Sequence, residues 1–71
     1  MSLFIEYDVV HLVANFESEE LSVQKGTRGT ILMTFENDST FYEVEFVDEN
    51  GESVGIGTVP SQYLQKCERL N

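Results

Sequence analysis

Histidine, cysteine and proline each occur once in this chain of 71 residues, and tryptophan is absent. The lone Cys67 cannot close a bridge within the chain, so no disulfide framework holds the fold, which fits a reducing compartment. Zinc needs three or four clustered His or Cys ligands, and one of each does not supply them. Basic residues are scarce too: 4 Lys and Arg stand against 13 Asp and Glu, for a net charge of −9 and a pI of about 4.2. Such a field repels nucleic-acid phosphates and anionic lipid, and attracts basic proteins. Long apolar runs are missing, since the stretch from Val9 to Ala14 is interrupted by His11 and is far too short for a bilayer. The opening MSLFIEYD lacks the basic and apolar regions of a signal peptide. These absences predict a cytoplasmic protein without metal or cofactor, bound to neither membrane nor nucleic acid.

What is present suffices for a folded core: 41% of residues are hydrophobic and 11% aromatic. The length sets one domain over residues 1–71, with 1–6 read as a loose N-terminal arm. YDVVHLV, residues 7–13, is a β-branched apolar run and predicts the first strand. ANFESEELSVQ follows as an acidic, irregular connection, pinned to the core by Phe16, Leu21 and Val23. KGTRG, with Gly26 and Gly29 three apart, suits a tight turn. GTILMTFE and FYEVEFVD, joined by the NDST turn, both alternate in polarity with the period of a strand. SVGIGTV reads as a further strand, PSQYL as a single helical or 3₁₀ turn capped by Ser61, and LQKCERL as the last strand. Five short strands, a long first loop and one helical turn before the last strand make an all-β, SH3-like barrel the predicted fold.

DENGE, residues 48–52, holds three carboxylates around one glycine and raises the question of calcium. An EF-hand loop needs a bidentate acid at its twelfth position, and counting from Asp48 that position is Val59. As a hairpin, the stretch has two readings. A two-residue turn at Asn50-Gly51 pairs Glu45 with Ile56 and turns Gly55 and Gly57 to the aromatic side. A three-residue loop, with Gly51 left-handed in a bulge, pairs Phe46 with Val54 and Val44 with Ile56, keeping apolar residues on one face. The second is the expected register. Extended to the preceding hairpin by pairing Phe35 with Tyr42, it predicts a core of Ile31, Met33, Phe35, Tyr42, Val44, Phe46, Val54 and Ile56. The outer face then carries Leu32, Phe41 and Val47 among Glu36, Glu43 and Glu45, left open by Gly55 and Gly57. These six side chains form the candidate partner-binding site: an aromatic anchor within a rim of charge.

Residues that carry catalysis are few. His11 and Cys67 fall on the first and last predicted strands, where a Cys–His pair is conceivable, yet a lone histidine and a lone cysteine are more often filler and small hydrophobe. Glu43 and Glu45 point the same way, but paired acid/base work needs an enclosure that an open sheet does not provide. Asn37-Asp38-Ser39 is a glycosylation sequon that reads as turn chemistry in an unsecreted protein, and KGTRG lacks the spacing of a phosphate loop. No catalytic residue is assigned, and an enzyme is not expected.

YDVVHLV, VQKGTRGTI, FYEVEFVDENGE and TVPSQYL, in that order from Tyr7 to Leu64, resemble a small bacterial family catalogued as domain of unknown function four-nine-two-six. The glycine-turn and hairpin patterns recur in other SH3-like and KOW-type barrels. The resemblance implies a stand-alone cytoplasmic protein with no established activity, some of whose relatives look like partners of neighbouring toxin-like proteins. It supplies no catalytic residues. The expected function is therefore a protein-interaction module, of an immunity, antitoxin or accessory-subunit kind, that binds a basic protein. The alternative is a KOW-like RNA-associated protein, from which the chain departs in having only Lys25 and Arg28 near the turn.

Overall fold

The computed structural model describes residues 3–67. Seven strands and one 3₁₀ turn follow one another: β1 (Val9–Leu12), β2 (Phe16–Glu17), β3 (Ser22–Val23), β4 (Arg28–Phe35), β5 (Asp38–Val47), β6 (Ser53–Pro60), the 3₁₀ turn (Ser61–Tyr63) and β7 (Leu64–Lys66). Five of them form one antiparallel sheet in the order β6-β5-β4-β1-β7, while β2 and β3 pair as a small separate hairpin. The protein is thus all-β, as its alternating patterns predict. The sheet does not close into a barrel, because β6 and β7 are its two edges and do not pair with each other. Among the described residues no helix is long and apolar enough to cross a membrane. The part of the predicted last strand that falls on residues 68–70 lies outside the described residues.

Local chemistry explains the connections. The DENGE turn is the three-residue loop expected of it: Gly51 has φ +81°, Asn50 does not enter the left-handed region, and the Gly51 amide donates to the Asp48 carbonyl at 2.9 Å. Asp48 Oδ1 accepts from the amides of Asn50 (2.8 Å) and Glu52 (3.0 Å), so this carboxylate serves its own backbone. Gly26, at φ +92°, makes the turn before β4, with the Thr27 amide donating to the Gln24 carbonyl at 3.1 Å. Gly29 lies in the strand, where the GTILMTFE pattern places it, and is buried. The 3₁₀ turn forms where PSQYL predicts it, although its N-cap is Pro60 and no side chain caps it, contrary to the role expected of Ser61.

The register departs from expectation, and glycine is the reason. The predicted pairs Phe35–Tyr42, Met33–Val44 and Ile31–Phe46 do not form; Thr34 pairs with Tyr42, Ile31 with Val44 and Gly29 with Phe46. The ladder skips Leu32, so Met33 pairs with Glu43 and lies with it on the outer side. On the other flank the loop first sets Val47 opposite Ser53, then a bulge at Val54 restores the rejected pairs, Phe46 with Gly55 and Glu45 with Ile56. Gly55, at φ +153°, adopts a conformation that an L side chain resists. Phe46 therefore pairs with a glycine on each neighbouring strand, Gly29 and Gly55, and Gly29 is the one that leaves room for its ring. A Cβ at Gly29 would lie 2.6 Å from Val44 Cγ1 and 3.0 Å from Phe46 Cδ1. A Cβ at Gly55 would lie 2.6 Å from Leu21 Cδ1, and one at Gly57 would lie 2.9 Å from Leu21 Cδ2. Leu21, on the β2–β3 hairpin, fills the space that the two glycines leave.

The core is accordingly Val10, Leu12, Ile31, Tyr42, Val44, Phe46 and Val59, closed at its margins by Phe4, Phe16, Leu21, Val23 and Leu64. Phe16, Leu21 and Val23 anchor the first loop as anticipated. Four residues assigned to the core do not lie in it: Met33, Val54 and Ile56 are exposed and Phe35 is half-buried. The N-terminal segment joins the inner side of the sheet. The buried Tyr42 hydroxyl accepts from the Leu3 and Phe4 amides (3.0 and 3.4 Å), and the Phe4 and Tyr42 rings meet edge to face with centroids 5.1 Å apart.

Candidate binding face on the outer side of the sheet

Strand alternation positions the site. With Tyr42, Val44 and Phe46 buried, the intervening Phe41, Glu43, Glu45 and Val47 of β5 face outward together. The ladders set Met33 beside Glu43 and Thr30 beside Glu45 on the β4 side, and Pro60, Thr58 and Ile56 beside Phe41, Glu43 and Glu45 on the β6 side. Four apolar side chains that the ladders place on this outer face are strongly exposed: Val9 (44%), which pairs with Thr30, Met33 (50%), Phe41 (41%) and Ile56 (50%). Val54 (49%) is exposed in the bulge at the start of β6. Leu32 and Val47 are half-buried, as are Glu43 and Glu45. Glu36 lies in the exposed turn between β4 and β5, at the end of the face rather than in its rim.

Of the predicted site, then, Phe41, Glu43, Glu45 and Val47 come together as a row. The opening assigned to Gly55 and Gly57 is not there, because both glycines turn inward under Leu21 and Ile56 takes the outer position beside Glu45. Nor does Leu3-Phe4-Ile5 cover the face, since Phe4 is buried against Tyr42 on the inner side. Met33 and Ile56, expected in the core, are the residues of this face that strand alternation does not reveal. The spacing of Gly55 and Gly57 was the available signal: two glycines at strand period leave a groove that suits a bulky side chain from elsewhere.

The electrostatics of the face are simple. Among the described residues the one ion pair is Lys66–Asp8 at 3.6 Å, remote from Glu43 and Glu45. Thr58 Oγ1 donates to Glu43 Oε1 at 3.3 Å, drawing that carboxylate toward the β6 edge. At the β4–β5 turn, Asp38 accepts from the Thr40 hydroxyl and from its amide (2.8 Å), and these bonds, the hydroxyl first, hold its pKa below the ordinary value of 3.8. His11 and Cys67 do meet, Sγ lying 3.5 Å from Nδ1, beside a shallow depression lined by Tyr7, Val9 and Arg28. Among the described residues nothing else hydrogen-bonds this imidazole, the third group that would orient a catalytic pair.

An acidic all-β protein with an apolar face exposed on one side of its sheet is the class these features define. The chain belongs to the family described as Domain of unknown function (DUF4926), whose profile matches residues 6–66. A search of the curated proteins finds no match.

Proposed function

We propose that this chain is a non-enzymatic cytoplasmic interaction module whose outer sheet face binds a basic protein, as an immunity or antitoxin-type protein or an accessory subunit does. Nucleic acid and membrane are not among its ligands in this reading. The observation that carries it is the combination on one face of Val9, Met33, Phe41 and Ile56 with the half-buried Glu43 and Glu45. Several large apolar side chains exposed on one sheet face are the material of an interaction site. Carboxylates around an aromatic anchor select a basic partner and speed its approach. The strand order, the long first loop and the 3₁₀ turn before β7 support an SH3-like barrel opened between β6 and β7 as the scaffold.

The test is affinity for a partner captured from the native host. Phe41→Ala should weaken binding by about 2 kcal/mol, as loss of a buried aromatic anchor does. Glu43→Lys combined with Glu45→Lys should chiefly slow association and flatten its salt dependence. Thermal melts confirm that both variants fold. Unchanged affinity in both removes this face from the function.

A further inference from the structure

We infer that the partner engages this face through an extended segment that adds a strand to the free edge of β6, with its basic side chains turned to Glu43 and Glu45. The inference rests on the proposed function and specifies its geometry. β6 is the terminal strand of the sheet, and among the described residues its backbone bonds only β5. In an antiparallel strand alternate residues direct their N–H and C=O groups to opposite sides, so half of those on β6 face an open edge.

Soluble proteins protect such edges with lysine, inward charge, proline or bulges. β6 reads SVGIGTVP and carries no charge at all, in a chain whose charged fraction is 24%. Its bulge falls at the start, between the partners of Phe46 and Val47, and its proline at the end, so the stretch from Gly55 to Val59 runs in unbroken register. The opposite edge, β7, has only three residues, one of them Lys66, and does not suit a basic segment.

The side chains beside the β6 edge define what the added strand must carry. A strand docked there lies about 4.8 Å from β6, and its outward residues neighbour Ile56 and Thr58. The Glu43 carboxylate already leans over Thr58 toward this edge, so a lysine or arginine on the new strand meets it. On the inner side the new strand runs past Leu21, which covers Gly55 and Gly57, and calls for apolar residues. The complementary segment therefore alternates basic with apolar side chains. A second copy of this chain fits less well, because pairing two such edges brings two acidic faces together, each on a chain of charge −9.

A capped synthetic peptide of about ten residues, the length of a long strand, alternating Lys with Val and Thr, provides the probe. Binding is followed by amide hydrogen exchange of the whole protein, and a second peptide carries N-methyl groups on alternate amides. The expected result is at least tenfold slower exchange at alternate β6 amides and at least tenfold weaker binding of the N-methylated peptide. Glu43→Lys with Glu45→Lys should weaken the unmodified peptide at least tenfold. Equal binding of the two peptides with unchanged β6 exchange overturns strand addition, while continued sensitivity to the two glutamates leaves the binding face standing. Protection of β6 that is indifferent to both glutamates overturns the acidic recognition itself. Protection that grows with protein concentration in the absence of peptide assigns the edge to a second copy, and also overturns the proposal.

Discussion

Gly29, Gly55 and Gly57 decide this structure more than any charged residue does. Each sits where a Cβ would collide, but with different neighbours. At Gly57 the obstacle is a terminal methyl of Leu21, at the margin of the core, whereas at Gly29 it is the buried Val44 together with the Glu45 carbonyl oxygen, 3.0 Å away. Gly29→Ala should therefore destabilise by about 3 kcal/mol and Gly57→Ala by about 1 kcal/mol, within the usual range for overpacking. Leu21→Ala should cost about 2 kcal/mol by leaving the Gly55–Gly57 groove unfilled. Combined with Gly57→Ala it should cost less than the sum, since the added methyl then occupies vacated space. Urea denaturation of the three single variants and the double checks the set.

A second residue-scale effect is electrostatic. The Thr40 hydroxyl and amide hold the Asp38 carboxyl below its ordinary pKa. A depressed carboxyl contributes stability at pH values above its unfolded pKa, and that contribution is lost as the pH falls through the folded value. Thr40→Val removes the larger of the two bonds, so the Asp38 pKa should rise toward 3.8, as a carboxyl-detected titration would report.

At the scale of elements, the strands and turns were legible and the register was not. Alternation in GTILMTFE and FYEVEFVD located β4 and β5, and the Asp-x-x-Gly chemistry of DENGE identified its turn. Gathering apolar residues on one face is the criterion that sets the expected register. That criterion holds only if every large side chain seeks the core, and here the core beside β6 is filled from outside the hairpin, by Leu21. The bulge at Val54 resolves the two readings of the hairpin: the loop has three residues, yet the strand beyond it takes the register of the two-residue turn. Phe41, Glu43, Glu45 and Val47 of the candidate site followed from alternation alone; Met33 and Ile56 reached the face through two bulges that a periodic pattern does not encode. Gly51 gives the turn a direct test. At φ +81° it should tolerate Asn far better than Ala, Gly51→Ala lowering stability by about 1 kcal/mol in thermal or urea unfolding.

For the whole molecule, the distribution of charge and apolar surface makes one arrangement. Inner and outer sides of a single sheet differ in kind: Tyr42, Val44 and Phe46 hold the fold, while Phe41, Glu43 and Glu45 of the same strand face outward. A net charge of −9 adds long-range attraction for a basic protein, and its effect on association falls as salt rises. The measurement that tests this arrangement most directly is a residue-resolved footprint, recorded as amide shifts and exchange, of a partner captured from the native host. The predicted result is a footprint centred on Met33, Phe41, Glu43, Glu45 and Ile56. A footprint centred instead on Leu3 and Ile5, or on the turn around Gly26, would contradict it.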